Sequence, residues 1–557
     1  MPFNSITFAV FFLVVYAVYR LSGRSCRLQN LLLLAASYIF YGWWDLRFLV
    51  VIAMSTVVAY CCALSIDRGQ MTAKQRAKAS AFLILAAIIF LGIRWDAVKF
   101  SLPNWRPSIT VDWNNLLFAD SQHYKLILGI AAVTAIFNII YPFLRWLKDD
   151  HRRKFFLIFS ITANLTALGI FKYCNFFIDT FRTLVHSLLG ISFNTETLNI
   201  VLPVGISFYT FQTMGYVIDV YRRTSRATDS LLDAAVFTAF FPLVLSGPIE
   251  RGASLLPQFQ NPRLIKASNL KEGLWLIVWG LYKKMVIADN LAKIVNATFA
   301  PFDNPGSALA VPQDGLRMLA AVYAFAFQIY CDFSGYSDIA RGIAQLLGFD
   351  IRLNFNLPYF ARDPSDFWRR WHISLSSWLR DYLYIPLGGN RYGSYKTGRN
   401  LMITMLLCGL WHGAAWTFVL WGMFHGTIQT LYRTLAHNPD SPTRKLWILV
   451  IQCVVMFHLT CFGWLLFRAQ NLNTVGVFLQ SILLHPGLSP EAANCFSNVA
   501  FYCWFLVLFQ AVQGLTGTLN PLPRLPRFVR LNIWLFVIMS ILSLAESSGG
   551  EFIYFAF

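Results

Sequence analysis

The sequence predicts an all-α protein that crosses a membrane many times. Of its 557 residues, 57% are apolar and 13% are charged, whereas about a quarter of the residues of a soluble domain are charged. Aromatic residues make up 16% of the chain, which is typical of a protein with apolar walls and interfacial anchors. Apolar runs continue to the end of the chain, so we expect residues 1–557 to form one polytopic membrane domain.

Fourteen runs are candidates for membrane segments, since a spanning helix needs about 20 mainly apolar residues. They lie near residues 4–20, 29–43, 47–66, 80–93, 124–144, 155–172, 198–219, 231–247, 272–289, 315–331, 400–432, 446–467, 497–514 and 530–545. Several runs are short or contain Gly and Pro, which indicates broken or re-entrant segments. We therefore expect about 11–14 membrane segments, with further helices at the interface.

The charge pattern indicates an orientation in the membrane. The formal net charge is +19, but Lys and Arg lie in short loops, where such residues set topology and contact anionic lipid. Basic clusters at 20–27, 67–78, 145–154 and 222–226 alternate with less basic loops such as 94–124. The positive-inside rule predicts that these clusters face the cytoplasm and that the N-terminus and residues 94–124 face outward. We expect membrane lipid, and no nucleic acid, as a partner.

Several kinds of chemical site are excluded by the motifs that the sequence lacks. The ten Cys form no CxxC pair, and most lie in apolar runs, so we expect neither a disulfide framework nor a metal site. A GxxxxGK(S/T) phosphate loop and a GxSxG nucleophile elbow are both missing. Histidines in apolar surroundings are therefore the best candidates for acid–base chemistry.

His412 is the first of these candidates. An ionisable residue in an apolar run is costly unless it faces a cavity or a partner. Gly409 and Gly413 form a GxxxG pair around it, which lets a helix or a ligand approach the backbone closely. The residues leave two interpretations open: an active-site histidine, or a packed histidine bonded to a carbonyl. His425 follows thirteen residues later, and on one straight helix it would occupy a different face.

A second candidate, His372, lies in the polar and aromatic stretch 349–399. Apolar residues recur there at helical spacing, which predicts an amphipathic interfacial helix, with Asp366 as its N-terminal cap after Pro364. The residues alone favour an interfacial anchor of Trp and Arg. The functional alternative is a histidine that lines a cavity beside cationic residues, which would steer an anionic donor. Those cationic residues are Arg369, Arg370 and Arg380.

Two carboxylates, Asp332 and Asp338, also lie in an apolar context. Asp338 and Arg341 are three residues apart and can pair on a helix. The two Asp could bind a cation, but no third ligand stands out, so we favour structural pairing.

The two histidine motifs occur in a characteristic order. His372 lies in FWRRWHISLSSWLRDYLYIPLGGNR and His412 in LLCGLWHGAAWTFVLWGMFHG. Together they resemble the membrane-bound O-acyltransferase superfamily, in its branch of bacterial alginate O-acetyltransferases and related polysaccharide-acetylating enzymes. The resemblance has its core at 198–432 and includes NLLLLAASYIFYGWW, LPVGISFYTFQTMGYVIDVYR, FPLVLSGPIER, DFSGYSDIARG and the C-terminal FIYFAF. Residues 67–154 depart from the family pattern by their extra length.

The resemblance implies a funnel-shaped helical fold with a tunnel through the bilayer, in which donor and acceptor enter from opposite faces. It implies that His412 is the catalytic histidine and His372 a second active-site residue. A neutral imidazole would act as the base for a hydroxyl, and the second histidine would orient the donor or stabilise negative charge. The candidate substrate-binding residues are Arg369, Arg370, Trp371, Arg380, Asp332, Asp338 and Trp411.

The expected function is O-acetylation of an exported polysaccharide, such as alginate, by an enzyme of the bacterial inner membrane. We expect no tightly bound cofactor and acetyl-CoA as the acyl donor. The expected partners are a periplasmic SGNH-type acetyltransferase and the polysaccharide synthesis and export machinery. One alternative is an acyltransferase for peptidoglycan or a teichoic acid. The other is a proton-coupled transporter, although no inverted repeat is visible.

Overall fold

The computed structural model of the protein describes residues 1–23, 25–101, 108–117, 121–144, 146–191, 200–263, 265–303, 314–435, 446–546 and 552–553. Within these ranges, helices make up almost all of the regular structure. A single antiparallel pair of strands, β1 (Val98–Ser101) and β2 (Ser108–Val111), pairs Val98 with Val111.

The helices follow one another along the whole described chain. The first eleven are α1 Ile6–Leu21, α2 Cys26–Gly42, α3 Leu49–Asp67, α4 Ala73–Gly92, α5 Ser121–Leu144, α6 Asp149–Leu168, α7 Cys174–Leu189, α8 Ile206–Tyr221, α9 Leu231–Ala239, α10 Gly252–Gln260 and α11 Ala267–Leu281. The next ten are α12 Asp289–Phe299, α13 Gly315–Leu346, α14 Pro364–Arg370, α15 Ile373–Leu379, α16 Gly393–His412, α17 Trp416–Leu435, α18 Leu446–Arg468, α19 Leu472–Leu484, α20 Pro490–Thr516 and α21 Arg527–Leu544.

Shorter helical segments join several of these helices. The π-helical ones are Gly169–Tyr173, Tyr282–Ala288 and Arg380–Tyr384. The 3₁₀ ones are Leu46–Phe48, Trp95–Ala97, Ala300–Phe302, Pro358–Phe360 and Leu522–Arg524. Many of the α-helices begin at a short polar side chain that accepts a backbone N–H of the first turn, which is the usual way to satisfy donors that have no partner inside the helix. These caps include Ser5, Ser25, Thr72, Ser230, Asp314, Asp363, Asn471 and Ser489.

Eight helical stretches of the described chain are long and apolar enough to cross a membrane. They are Leu46–Asp67, Ala73–Gly92, Gln122–Leu144, Asp149–Leu189, Gly315–Leu346, Leu446–Arg468, Pro490–Thr516 and Arg527–Leu544. Two shorter apolar helices, α1 and α19, accompany them. The prediction of an all-α, multi-pass membrane protein is confirmed. Other predicted runs are broken, as their Gly and Pro residues indicated: run 231–247 contains only the nine-residue α9.

The longest helix, α13, packs against α11 at two glycine pairs. A Cβ added at Gly342 would lie 2.5 Å from the carbonyl oxygen of Gly273, and one added at Gly335 would lie 2.8 Å from that of Gly280. Small residues at these four positions therefore bring the two backbones into direct contact, as is common between membrane helices. This contact fixes α13 in the interior, where it can support a site.

Three of the predicted basic clusters meet at one end of the molecule, which we call the basic end. Arg226 lies 3.4 Å from Asp67, at the end of α3. Arg153, near the start of α6, donates to the carbonyl of Tyr221 at the end of α8, over 2.6 Å. The alternation of charge along the sequence thus corresponds to a clustering in space.

The opposite end carries Trp43–Asp45, the strand pair and the start of α8, and we call it the Trp-rich end. The Tyr41 hydroxyl donates to the carbonyl of Val204 over 2.8 Å. Trp43, Trp44 and Trp113 are exposed there, as is common for Trp at a membrane interface.

Candidate active site

His412 lies at the turn of a helical hairpin. Run 400–432, predicted as one segment, is instead two antiparallel helices, α16 and α17, with the break just after His412. A Cβ at Gly409 would lie 2.1 Å from the carbonyl oxygen of Phe418, and one at Gly422 would lie 2.3 Å from that of Met405. The glycine positions are therefore where the two helices touch, which confirms the close approach predicted from the GxxxG pairs.

Aromatic rings surround the imidazole of His412. Its ring centroid lies 4.9 Å from Trp411, 5.0 Å from Trp421 and 5.3 Å from Phe467. Only 3% of the residue is exposed. His425 contacts the same Trp421 ring from its own position on α17, at 4.6 Å. The two histidines thus lie on different helices of the hairpin.

The last turn of α16, which carries His412, is held from outside by the π-helical segment Gly169–Tyr173. Nζ of Lys172 donates to the carbonyls of Trp411 and His412 over 2.7 and 2.9 Å. The hydroxyl of Tyr173 donates to the carbonyl of Leu410 over 2.8 Å. These bonds satisfy carbonyls that a helix end leaves without an internal partner.

His372 lies at a break between two helices, where the prediction of one amphipathic helix is wrong. The chain forms α14 and α15, and His372 between them has a φ of +43°, a left-handed conformation that is unfavourable for residues other than glycine. The break is stabilised by backbone bonds to an extended strand-like segment, from Ile373 N–H to the Asn354 carbonyl and from Asn356 N–H to the Arg370 carbonyl, each 2.9 Å.

The N-terminal cap of α14 also differs from the prediction. Asp363 accepts the N–H of Asp366 over 2.7 Å and so caps the helix. Asp366 lies within the first turn, where it pairs with Nε of Arg370 over 2.9 Å. Pro364 at the first helical position explains the shift, because Pro is favoured just after the cap.

The His372 ring is fully buried and oriented by Asn354. Nδ1 of His372 lies 3.1 Å from Oδ1 of Asn354, which also accepts the backbone N–H and the hydroxyl of Ser374 over 3.3 and 3.0 Å. The backbone N–H of Ser374 can only donate, so the Asn354 atom that it contacts is the acceptor oxygen. Nδ1 of His372 contacts the same oxygen and therefore carries the proton. Nε2 then carries a lone pair, and it has no hydrogen-bond partner among the described residues.

Trp411 stands between the two histidines. Its ring centroid is 5.8 Å from His372 and 4.9 Å from His412. Phe208, from α8, covers the group, at 6.2 Å from His372 and 5.4 Å from Trp411. Two histidines that lie 40 residues apart in the sequence thus form one aromatic-walled site.

Two cavities approach this site from opposite ends of the molecule. The outer cavity, about 80 Å³ in volume, reaches from Trp44 and Val204 at the Trp-rich end to Trp411, His412 and Lys172. The inner cavity, about 400 Å³, is lined by Arg369, Arg380, Ile373 and Cys408, among others. Residue 373 follows His372, and Cys408 lies one turn before His412. The inner cavity lies at the basic end, since Nη1 of Arg222 donates to the carbonyl of Asp381, next to Arg380, over 3.0 Å.

The predicted cationic residues have different surroundings. The side chains of Arg369 and Arg380 line the inner cavity and are 68% and 63% exposed. Arg370 instead pairs with Asp366 and donates to the carbonyl of Asn356 over 3.3 Å. Trp371 is buried, with its ring 4.7 Å from Trp464, rather than at an interface.

Asp332 and Asp338 lie on α13 in ion pairs, and the first is buried while the second is partly buried. Asp338 pairs with Lys283 over 2.7 Å and with Arg341 over 3.7 Å, so the predicted Asp338–Arg341 pairing is confirmed. Asp332 pairs with Lys284 over 2.9 Å and also accepts the backbone N–H of Ile553 over 2.7 Å. Through the neighbouring Phe333, whose ring is 4.7 Å from His372, α13 nonetheless contacts the site. The roles of both Asp in substrate binding stay predictions.

Two residues of the site were missed in the sequence. Lys172 lies at the end of the apolar run 155–172, where a lysine ordinarily extends to the interface, so the sequence carried only a weak signal for it. Asn354 could not have been found, because only the extended segment that pairs with the break at His372 brings it beside that ring. Among the described residues, no group of three His, Cys, Asp or Glu is placed to hold a metal ion.

Comparisons with known proteins identify the family of the chain. Residues 223–467 match the family model of the membrane-bound O-acyltransferases. A protein of Pseudomonas aeruginosa named "Probable alginate O-acetylase AlgI" is 37% identical over 474 residues, which cover 85% of this chain and 73% of that protein. The "Peptidoglycan O-acetyltransferase" of Helicobacter pylori is 35% identical over 62% of this chain and 69% of its own length. The "Teichoic acid D-alanyltransferase" of Bacillus subtilis is 27% identical over 49% of this chain and 70% of its own length.

The region that matches the family model contains both histidines and the hairpin of α16 and α17. The chain belongs to the membrane-bound O-acyltransferase family, in the branch that contains the alginate O-acetylases, and is an O-acyltransferase.

Proposed function

We propose that this protein takes an acetyl group from acetyl-CoA at the cytoplasmic face and passes it across the membrane for O-acetylation of an exported polysaccharide, alginate or a related polymer. The observation that carries the proposal is the pair of cavities that approach His372 and His412 from opposite ends. A donor on one face and an acceptor on the other could then meet at one site without either crossing the membrane.

The inner cavity suits a donor that bears phosphate groups. Arg369 and Arg380 are exposed on its wall, and guanidinium groups bind phosphate in a bidentate manner. Because the cavity lies at the basic end, the positive-inside rule would place it on the cytoplasmic side, where acetyl-CoA is found. The protein would then lie in the bacterial inner membrane, as proposed from the sequence.

The outer cavity suits a hydroxyl acceptor. His412 lines it, so a neutral imidazole there would take the proton as the hydroxyl oxygen attacks the thioester carbonyl carbon. The C–S bond then breaks, and the leaving sulfur takes the proton from His412. The products are an O-acetyl ester and a free thiol. The enclosing aromatic rings would limit loss of the acetyl group to water.

The acceptor at the outer face would be either the polymer itself or a periplasmic SGNH-type acetyltransferase that completes the transfer next to the export machinery. The sequence identity to a peptidoglycan O-acetyltransferase favours peptidoglycan as the second candidate polymer. The small volume of the outer cavity favours entry of one hydroxyl-bearing group at a time rather than a folded glycan chain.

The test measures acetyl transfer per unit of membrane-inserted protein. Vesicles that expose the basic end would receive labelled acetyl-CoA, with alginate, peptidoglycan or a partner-containing membrane fraction as acceptor. We expect acceptor-dependent release of free CoA, which His412→Ala abolishes, because loss of a general base costs about 10²–10⁴-fold. His372→Ala should also inactivate the enzyme.

The matched control is His458→Ala. His458 lies exposed on α18 and bonds to the Tyr323 hydroxyl over 2.8 Å. It lines neither cavity, so this variant should retain its activity. Normal acetyl transfer by the His412 variant would refute the mechanism. Acceptor-dependent release from a different acyl donor, but not from acetyl-CoA, would refute the choice of donor.

A further inference from the structure

Lys172 lies at the site, in the apolar helical stretch Asp149–Leu189, and its bonds to the end of α16 use only part of its hydrogen-bonding capacity. It lies in the π-helical segment Gly169–Tyr173, between α6 and α7. π-helical segments are rare in proteins overall, and those that occur are often found at functional sites. A lysine within a membrane span is costly and is a candidate functional residue by default.

The bonds of Lys172 to the described part of the chain leave one of its N–H donors unused. An ammonium group has three N–H donors, and the carbonyls of Trp411 and His412 accept two of them. The C-terminal end of α16 is the negative end of its dipole, so it attracts a cation at this point. Lys172 and His412 both line the outer cavity, so the third N–H is available to a group bound there.

The chemistry of the site requires such a donor. When a hydroxyl attacks a thioester, the carbonyl oxygen becomes negative and must be stabilised. The network at Asn354 leaves a lone pair on Nε2 of His372, and a lone pair repels an oxyanion. Trp411 also lines the outer cavity, but a charged donor gives a stronger hydrogen bond than a neutral indole N–H.

We propose that Lys172 is a further catalytic residue, which donates to the thioester carbonyl oxygen as it becomes negative; this inference rests on the proposed function. His412 removes the proton of the acceptor hydroxyl, whose oxygen bonds to the carbonyl carbon, while the C=O electron pair moves to the oxygen beside Lys172. When that pair returns, the C–S bond breaks and the sulfur takes the proton from His412. Lys172 keeps its own protons throughout.

The experiment compares Lys172→Met, Lys172→Arg and Tyr173→Phe in vesicles supplied with acetyl-CoA and acceptor. Lys172→Met should lower kcat by about 10²–10³-fold, the usual effect of losing one oxyanion donor, while the KM for acetyl-CoA stays within about twofold of wild type. Lys172→Arg should recover part of the rate, because it keeps the charge. Tyr173→Phe is the matched control, since it removes the neighbouring bond to the same helix end but no charge.

The control separates chemistry from support of the helix. We expect Tyr173→Phe to retain nearly the full rate, and all three variants to insert in similar amounts, as measured by size-exclusion chromatography of tagged protein. A loss by Tyr173→Phe equal to that of Lys172→Met would make Lys172 a helix-end support and overturn the inference. So would a rate for Lys172→Met within threefold of wild type. If the wild-type protein itself releases no CoA, the proposed function fails first, and the inference fails with it.

Discussion

Asn354 accepts a hydrogen bond from Nδ1 of His372 over 3.1 Å, and both side chains are buried. The same oxygen accepts two bonds from Ser374, and the Asn354 amide nitrogen lies 3.3 Å from the hydroxyl of Ser337 on α13. One side chain thus joins the break at His372 to the central helix. It also determines which imidazole nitrogen faces the site.

We predict that Asn354→Leu will lower the rate of acetyl transfer by at least about tenfold, because it leaves buried donors of His372 and Ser374 unpaired at a cost of about 1–3 kcal/mol each. Asn354→Asp keeps an acceptor and should retain more activity. Acetyl transfer and the amount of inserted protein would be measured together. Asn532→Leu, at an exposed position on α21, is the control. Equal activity of Asn354→Leu and wild type would show that the orientation of His372 does not matter.

The inner cavity leads to a prediction about the donor. Arg369→Ala and Arg380→Ala should each raise the KM for acetyl-CoA and leave the amount of folded protein unchanged, because both side chains are largely exposed on the cavity wall. The effect should shrink at high salt, which screens exposed charges.

Arg370→Ala serves as the contrasting variant. It removes the pair with Asp366 and the bond to the Asn356 carbonyl, so it should reduce the amount of folded protein rather than the affinity for donor. An increased KM in Arg370→Ala, with no change in Arg380→Ala, would contradict this assignment of the arginines.

Much of this arrangement could be predicted from the sequence, for identifiable reasons. The apolar runs gave the multi-pass helical class, since an apolar span has few alternatives to a helix in lipid. His412 and its glycines stood out because a polar group and small residues are both unusual in such a run. The Asp338–Arg341 pair followed from helical spacing alone.

The break at His372 could not be predicted, because the spacing of Phe367, Trp371 and Leu375 fits an unbroken helix equally well. Tertiary contacts break this helix. The backbone N–H of Ile373 bonds to the Asn354 carbonyl and that of Asn356 to the Arg370 carbonyl, and these bonds replace the helical ones that are lost. The contacts of His412 with Lys172 span 240 residues of sequence, and no local pattern carries that information.

The orientation of the chain can be tested by cysteine labelling. Lys74 lies in the first turn of α4, in a basic cluster, whereas Asn114 follows β2 at the Trp-rich end, and both are exposed. Cysteines introduced at these positions should react with a membrane-impermeant reagent from opposite faces of the membrane. Lys74→Cys should react from the cytoplasmic face and Asn114→Cys from the outer face. The parent protein, with its ten native Cys, gives the background. Labelling of both positions from one face would refute the orientation.

The hairpin that carries His412 depends on backbone contact, which a single methyl group should disrupt. In Gly409→Ala the new Cβ would lie 2.1 Å from the carbonyl oxygen of Phe418, and a backbone atom cannot move aside as a flexible side chain can. Overpacking of this kind costs about 1–3 kcal/mol. We therefore expect a lower Tm in detergent and less acetyl transfer, because His412 moves with the end of α16. Gly476→Ala on α19 is the matched control, since its Cβ would meet nothing within 4 Å and alanine favours the helix. A Tm for Gly409→Ala equal to that of Gly476→Ala would mean that α16 and α17 can separate without loss, and the close contact would then not be what positions His412.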